Sequence, residues 1–127
     1  MILCDTNIFI SAFNFHEPTI EALKQIEFVN IVIPSVAVLE LYRGMTNKAE
    51  LSAMRKKLIY YDIIHLDHAA SAQAIFLLEK FKLSHNLQIP DALIGATAIA
   101  NDLPLSTYNV KDFSFMPGLT LYKPPTS

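Results

Sequence analysis

The residues most able to do chemistry in this chain are carboxylates that a folded protein would have trouble placing. Of the twelve acidic residues, Glu17, Glu21, Glu27, Glu50 and Glu79 read as solvated positions on polar faces or near helix starts. Asp5 is different, because it directly follows the apolar run Ile2-Leu3-Cys4. That places it at the C-terminal end of a first strand, the edge at which open α/β sheets bind ligands. A helix cap shared among Asp5, Thr6 and Asn7 is the structural alternative.

Glu40 lies in Val36-Ala-Val-Leu-Glu-Leu-Tyr42, with apolar neighbours on both sides in sequence. A buried, unpaired carboxylate costs several kcal/mol, roughly, unless an ion or a partner compensates it. Its alternative is an exposed helical stripe shared with Arg43. Asp91 follows Pro90 at the head of an alanine-rich run, where it also suits a helix N-terminus. Asn109 and Asp112 fall just past a late strand, and both suit loop capping as well. Taken together, these are hard oxygen donors gathered at strand ends and helix starts. Such a cluster repels itself, a divalent cation relieves the repulsion, and an all-oxygen site favours Mg²⁺ or Mn²⁺ over zinc.

The elements that must hold these residues follow from apolar periodicity and turn signals. Ile2–Cys4 reads as a short strand, and a helix starts over Asn7–Phe13. A second helix spans Pro18–Glu27 with Pro18 in its first turn. Asn30–Ile33 is a β-branched strand that Pro34 should stop. Ser35 should cap a helix ending near Gly44, and Asn47 a polar helix to about Tyr60 that carries Arg55, Lys56 and Lys57. A third strand covers Asp62–His65. Asp67 caps a long helix from His68 to about Lys82, with Ala72, Ile75, Phe76, Leu78 and Phe81 as its expected apolar face. Pro90–Asn101 is apolar nearly all round and should be buried. Leu103–Ser106 and Leu119–Tyr122 are the last strands. Short strands alternating with helices predict a mainly parallel sheet in an α/β domain.

Composition bounds the rest. The chain has 127 residues, 52% of them hydrophobic and 17% charged. That is one domain with a sizeable core and no disordered segment. We read residues 1–123 as that domain and 124–127 as a loose tail. The mean hydropathy of +0.32 fits either a sheet covered on both faces or apolar surface kept for a partner. No apolar run reaches the ~20 residues a bilayer requires, so no membrane role is expected. Cys4 is the single cysteine; it excludes an internal disulfide and a cysteine-based zinc site, and suits the reducing cytoplasm. The net charge of −2 argues mildly against a general nucleic-acid binder but not against a nuclease with acidic metal ligands. His16, His65, His68 and His85 are scattered and read as surface or boundary residues. The chain has no P-loop, no G-x-S-x-G and no G-x-G-x-x-G.

Four segments resemble one known family. Asp5-Thr6-Asn7-Ile8-Phe9-Ile10, after a short apolar strand, resembles the opening motif of PIN domains. Glu40-Leu41-Tyr42-Arg43-Gly44 resembles their E-L-x-x-G segment. Pro90-Asp91-Ala92-Leu93-Ile94-Gly95-Ala96 is similar to the third, an aspartate opening an alanine-rich helix. Thr107-Tyr108-Asn109-Val110-Lys111-Asp112-Phe113 and Pro117-Gly118-Leu119 resemble the closing segments. The match spans nearly the whole chain in order. Length and spacing look most like the VapC-type toxins of prokaryotic toxin–antitoxin pairs.

This resemblance implies a three-layer α/β/α fold and hydrolysis of RNA phosphodiester bonds. It implies Mg²⁺ or Mn²⁺ held by Asp5, Glu40 and Asp91, with Asn109 or Asp112 as the fourth site residue. Thr6, Asn7 and Thr107 would support those ligands by hydrogen bonds. Arg43 and Lys111 would contact RNA phosphates. A small antitoxin and a homodimer are the implied partners. Other readings are a PIN nuclease of RNA processing outside a toxin–antitoxin pair, or a non-catalytic PIN-like binding module. A phosphotransferase or receiver domain also begins with a strand-end aspartate. The first needs a second Asp where Asn7 stands, and the second an acidic pair that Ile2-Leu3-Cys4 lacks.

Overall fold

β-Branched and leucine side chains form three short strands early in the chain, and each delivers its residues to both faces of one sheet. The computed structural model describes residues 1–123; the expected tail at 124–127 lies outside the described residues. The elements are β1 (Ile2–Cys4), α1 (Thr6–Phe13), α2 (Glu17–Ile26), β2 (Ile31–Pro34), α3 (Ser35–Arg43), α4 (Lys48–Leu58), β3 (Asp62–Ile64), α5 (His68–His85), α6 (Ile89–Ala100) and β4 (Leu105–Ser106). Single 3₁₀ turns lie at Phe28–Asn30 and Val110–Asp112.

The four strands are ordered β3-β2-β1-β4 and every pairing is parallel. Side chains alternate across the pleat. Leu3, Val32 and Leu105 enter one core with residues of α5 and α6, among them Leu77, Phe81, Ile94 and Ala96. Cys4, Ile31 and Ile33 enter the other, with Phe9, Leu23, Leu41, Met54 and Leu58 from α1 to α4. The sheet is therefore covered on both faces, which gives the three-layer α/β/α arrangement and accounts for much of the hydropathy.

Several local expectations are corrected. Pro34 ends β2 from inside the strand rather than from just beyond it. It is itself the last strand residue, paired with Ile64. Ser35 is the first residue of α3 rather than its cap; Pro34 takes that place with no side-chain bond. Gly44 ends α3 with φ −75°, so no left-handed turn explains the glycine. The last expected strand is only a parallel bridge between Leu105 and Leu121.

The largest correction is the face of α5. Its buried residues are Ala70, Ala74, Leu77 and Phe81. Ile75 is 61% exposed and Phe76 45%, and Ala72 is exposed too. Phe81 is buried and Leu78 packs against the core as expected, but the helix carries apolar residues on two faces, and periodicity mixed them. Opposite α5, α6 lies close to the segment after β4. A Cβ at Gly95 would stand 2.3 Å from Met116 Sδ, so the glycine permits that approach.

These faces predict different sensitivities. Leu77→Ala should cost about 3 kcal/mol by urea unfolding, while Phe76→Ala should stay within about 1 kcal/mol. Equal losses at both positions would contradict the burial described.

Candidate active site

Parallel strands bring their C-terminal ends to one edge, and this edge collects the unusual carboxylates. Asp5 follows β1 and caps α1 in extended backbone, with φ −67° and ψ 156°. Asp5 therefore combines the expected place at the strand's C-terminal end with the helix cap. One carboxylate oxygen accepts the backbone N–H of Thr6 at 2.7 Å. The other accepts the hydroxyl of Thr107, just past β4, at 2.8 Å. The Asp5 side chain is buried. Burial foremost raises its pKa, the two hydrogen bonds oppose the rise, and the charges of Glu40 and Asp112 add to it.

Glu40 comes from α3, which follows β2. Its carboxylate accepts the hydroxyl of Thr6 at 2.8 Å, so Thr6 links the two acids. Glu40 is partly exposed rather than buried, because helical rotation puts Leu41 inside and leaves Leu39 66% exposed. Sequence neighbours on both sides were a poor guide to its surroundings. Arg43 is not its ion-pair partner either. Among the described residues the single ion pair is Lys24–Glu21.

Asp91 stands in the first turn of α6. Its pKa is pushed up to about 6, chiefly by burial and then by the charges of Asp5, Asp112 and Glu40. Asp5, Thr6, Asn7, Ile10, Glu40, Arg43, Asp91 and Asn109 line one cavity of about 280 Å³. Asp112 is exposed and lies outside that cavity. It lines a neighbouring depression with Asp91, His85, Asn86 and Gln88, and Lys111 stands on that side as well. Asp91 is thus shared between two hollows, with Asn109 on one side and Asp112 on the other. Of the supporting residues, Thr6 and Thr107 make the expected bonds to carboxylates. Asn7 lines the cavity, with no side-chain bond to a carboxylate among the described residues.

This donor set fits a hard divalent cation. It consists of carboxylate oxygens, with no cationic side chain paired to them among the described residues. As they stand, however, no three His, Cys, Asp or Glu side chains among the described residues are close enough to clasp an ion. Glu40 is turned toward Thr6 instead. Cys4, beneath the site, is no candidate nucleophile; burial first, and then Asp5, push its thiol to about 12.

A PIN domain model matches residues 2–116. The chain belongs to the PIN domain family. PIN domains are nucleases, hydrolases that generally use divalent metal ions. A chain from a toxin–antitoxin complex of Klebsiella pneumoniae is 29% identical, with a TM-score of 0.79 and coverage of 97% of this chain and 99% of that one. A chain of VapBC2 from Rickettsia felis, bound to a promoter DNA fragment, is 28% identical with a TM-score of 0.79, covering 96% and 98%. VapBC-1 from nontypeable Haemophilus influenzae, at 21% identity, TM-score 0.80 and coverage of 97% and 98%, shows the shared fold. No curated protein sequence matches the chain significantly.

Two residues beside this site carry no signal in the sequence that joins them. Tyr108 hydrogen-bonds to Thr19, joining α2 to the segment beside Asn109. Thr19 was legible in part, since it shares the buried face of α2 with Leu23 and Ile26.

The raised pKa of Asp91 has a sign for stability. Its unfolded value is near 3.8 and its folded value about 6. The stability it contributes is therefore full below the unfolded value and lost as pH rises through the folded one. Asp91→Asn should stabilise the metal-free protein at pH 7 by ~1 kcal/mol after discounting for solvent screening, or about 4 °C in Tm. The gain should vanish below pH ~4. A Tm difference that is independent of pH would contradict the burial and repulsion that raise this carboxyl.

Proposed function

We propose that this PIN domain is a metal-dependent endoribonuclease, the toxin of a type II toxin–antitoxin pair. The observation that carries the reading is the convergence of Asp5, Glu40 and Asp91 on one cavity with no cationic partner. Those three would hold Mg²⁺ or Mn²⁺, with Asn109 or Asp112 as the fourth residue. Bound there, the ion would acidify a water and stabilise charge on the scissile phosphate. The chain's own residues supply the rest. Asp5 is held by Thr6 and Thr107, and a carboxylate oxygen of Glu40 or Asp91 left free by the ion can accept a proton from the attacking water. Arg43, at the cavity rim and free of ion pairs among the described residues, is placed to meet an RNA phosphate. Lys111 could do the same beside Asp112. An RNA substrate would place the protein's action in the cytoplasm.

Support for the antitoxin comes from the two toxin–antitoxin structures near 30% identity that span nearly all of this chain. An apolar groove of about 350 Å³, lined by Ile10, Phe13, Leu41, Met45 and Met54, opens beside Glu40 and suits a protein partner. The exposed face of α5 with Ile75 and Phe76 suits a homodimer. Among the described residues no helix is long and apolar enough to cross a membrane.

The test is cleavage of RNA by the purified full chain. Mn²⁺ or Mg²⁺ should be required and EDTA should stop the reaction. Asp5→Asn should lower kcat by on the order of 10³ or more with the circular dichroism unchanged. Mn²⁺ at about a hundred times its Kd should stabilise the fold by about 2.7 kcal/mol, and less in the variant. Cleavage surviving Asp5→Asn or EDTA would sink the nuclease reading. A chain that stays monomeric at high concentration and captures no protein encoded beside it would remove the toxin role alone.

A further inference from the structure

Among the described residues, four polar or charged side chains are buried: Asp5, Thr6, Thr19 and Thr97. Asp5 and Thr6 belong to the acidic site. Thr97 returns its hydroxyl to the carbonyl of Leu93 within its own helix, at 2.7 Å. Thr19 alone of the four spans distant parts of the fold outside that site. It is fully buried in α2, where valine would fill the same space with no polar group to satisfy. A buried hydroxyl without a partner is costly, so its partners matter. They are the Nδ1 of His16, at 2.8 Å, and the phenol of Tyr108.

Tyr108 stands between the two residues that bring this segment to the site. Thr107 donates its hydroxyl to Asp5 at 2.8 Å. Asn109 lines the acidic cavity, and its backbone N–H donates to the Thr107 hydroxyl oxygen at 2.9 Å. The segment leaves the sheet at Ser106 and is next secured in the core at Phe113, which is fully buried. Between those points the Tyr108 hydroxyl is the side-chain bond that ties the segment to a helix, among the described residues.

We propose that Tyr108 is a positioning residue of the nuclease site. Held through Thr19, which is itself held by His16, it fixes the segment that aims Thr107 at Asp5 and Asn109 into the cavity. Tyr108 need not touch substrate to do this. Its effect passes through the supporting bond to Asp5, the kind of outer contact whose loss costs roughly 10- to 100-fold in metal affinity or activity. Small misplacements of reacting groups are expensive for the same reason. The functional half of this proposal rests on the nuclease reading; the anchoring half is geometric.

Tyr108→Phe, Thr19→Val, their double variant and Thr19→Ser decide the matter in the full chain. Three quantities are read: amide hydrogen exchange at Asn109, Mn²⁺ affinity by calorimetry, and kcat separately from KM. Tyr108→Phe should speed exchange at Asn109, weaken Mn²⁺ about tenfold and lower kcat by a similar factor, with KM little changed. Thr19→Val should do the same. The double variant should be no worse than either single one, because both break one connection. Thr19→Ser keeps the hydroxyl and should recover most of the loss. If the wild type binds Mn²⁺ and Tyr108→Phe matches it in exchange, affinity and kcat, the positioning role is wrong and the nuclease reading stands. Additive losses in the double variant would also overturn it. A wild type that binds no Mn²⁺ and cleaves no RNA overturns the nuclease reading, and with it the role given to Tyr108.

Discussion

The site depends on a carboxylate that burial makes unfavourable and that hydrogen bonds make tolerable. Asp5 is buried with like charges nearby, and each alone disfavours its ionised form. The fold answers with a backbone N–H on one oxygen and a threonine hydroxyl on the other. It also sets Asp5 at the N-terminus of α1, where the exposed amides favour negative charge. The same device recurs at Asp91, in the first turn of α6. Helix starts are thus used to hold acids where the sheet edge brings them together. The opposition between burial and bonding fixes the orientation of Asp5 more tightly than either would alone.

Those bonds require three strands to end together. Asp5 follows β1, Glu40 lies on the helix after β2, and Thr107 follows β4. All three strands are parallel, with β1 between the other two. A slip of one residue in β1 would exchange Leu3 and Cys4 between the two cores and turn Asp5 away from the site. The packing of α6 extends the arrangement. Gly95 lets Met116 come close, with Phe113 just beyond, and these residues anchor the end of the segment that carries Asn109 and Asp112.

Much of this was legible because strands and helix caps write short, local signals. Ile2–Cys4, the Asn47 and Asp67 caps, and the aspartates at element starts were all read correctly from neighbours in sequence. The failures share a physical cause, which is that burial is a tertiary property. Glu40 looked buried because Leu39 and Leu41 flank it, yet the helix turns those two to opposite sides. On α5, Ile75 and Phe76 are as apolar as the residues that pack, so composition could not say which face meets the sheet. The Thr19–Tyr108 bond joins residues far apart in sequence, and no local pattern encodes it. As for the fourth site position, the sequence offered Asn109 and Asp112 as equals. The fold places them on opposite sides of Asp91.

That arrangement bears on how an anionic substrate could enter. Asp5, Glu40 and Asp91 line a cavity with a single cationic side chain, Arg43, which makes no ion pair among the described residues. A phosphodiester brought to this cavity alone would meet net negative charge at short range, where screening is weakest. On the proposed reading, cation and substrate therefore favour each other's binding, and by linkage the coupling is equal in both directions. The protein's own net charge of −2 gives no long-range attraction to offset the repulsion. On that reading the acidic centre favours a phosphate that arrives with its cation, and selection among substrates falls to contacts at the rim.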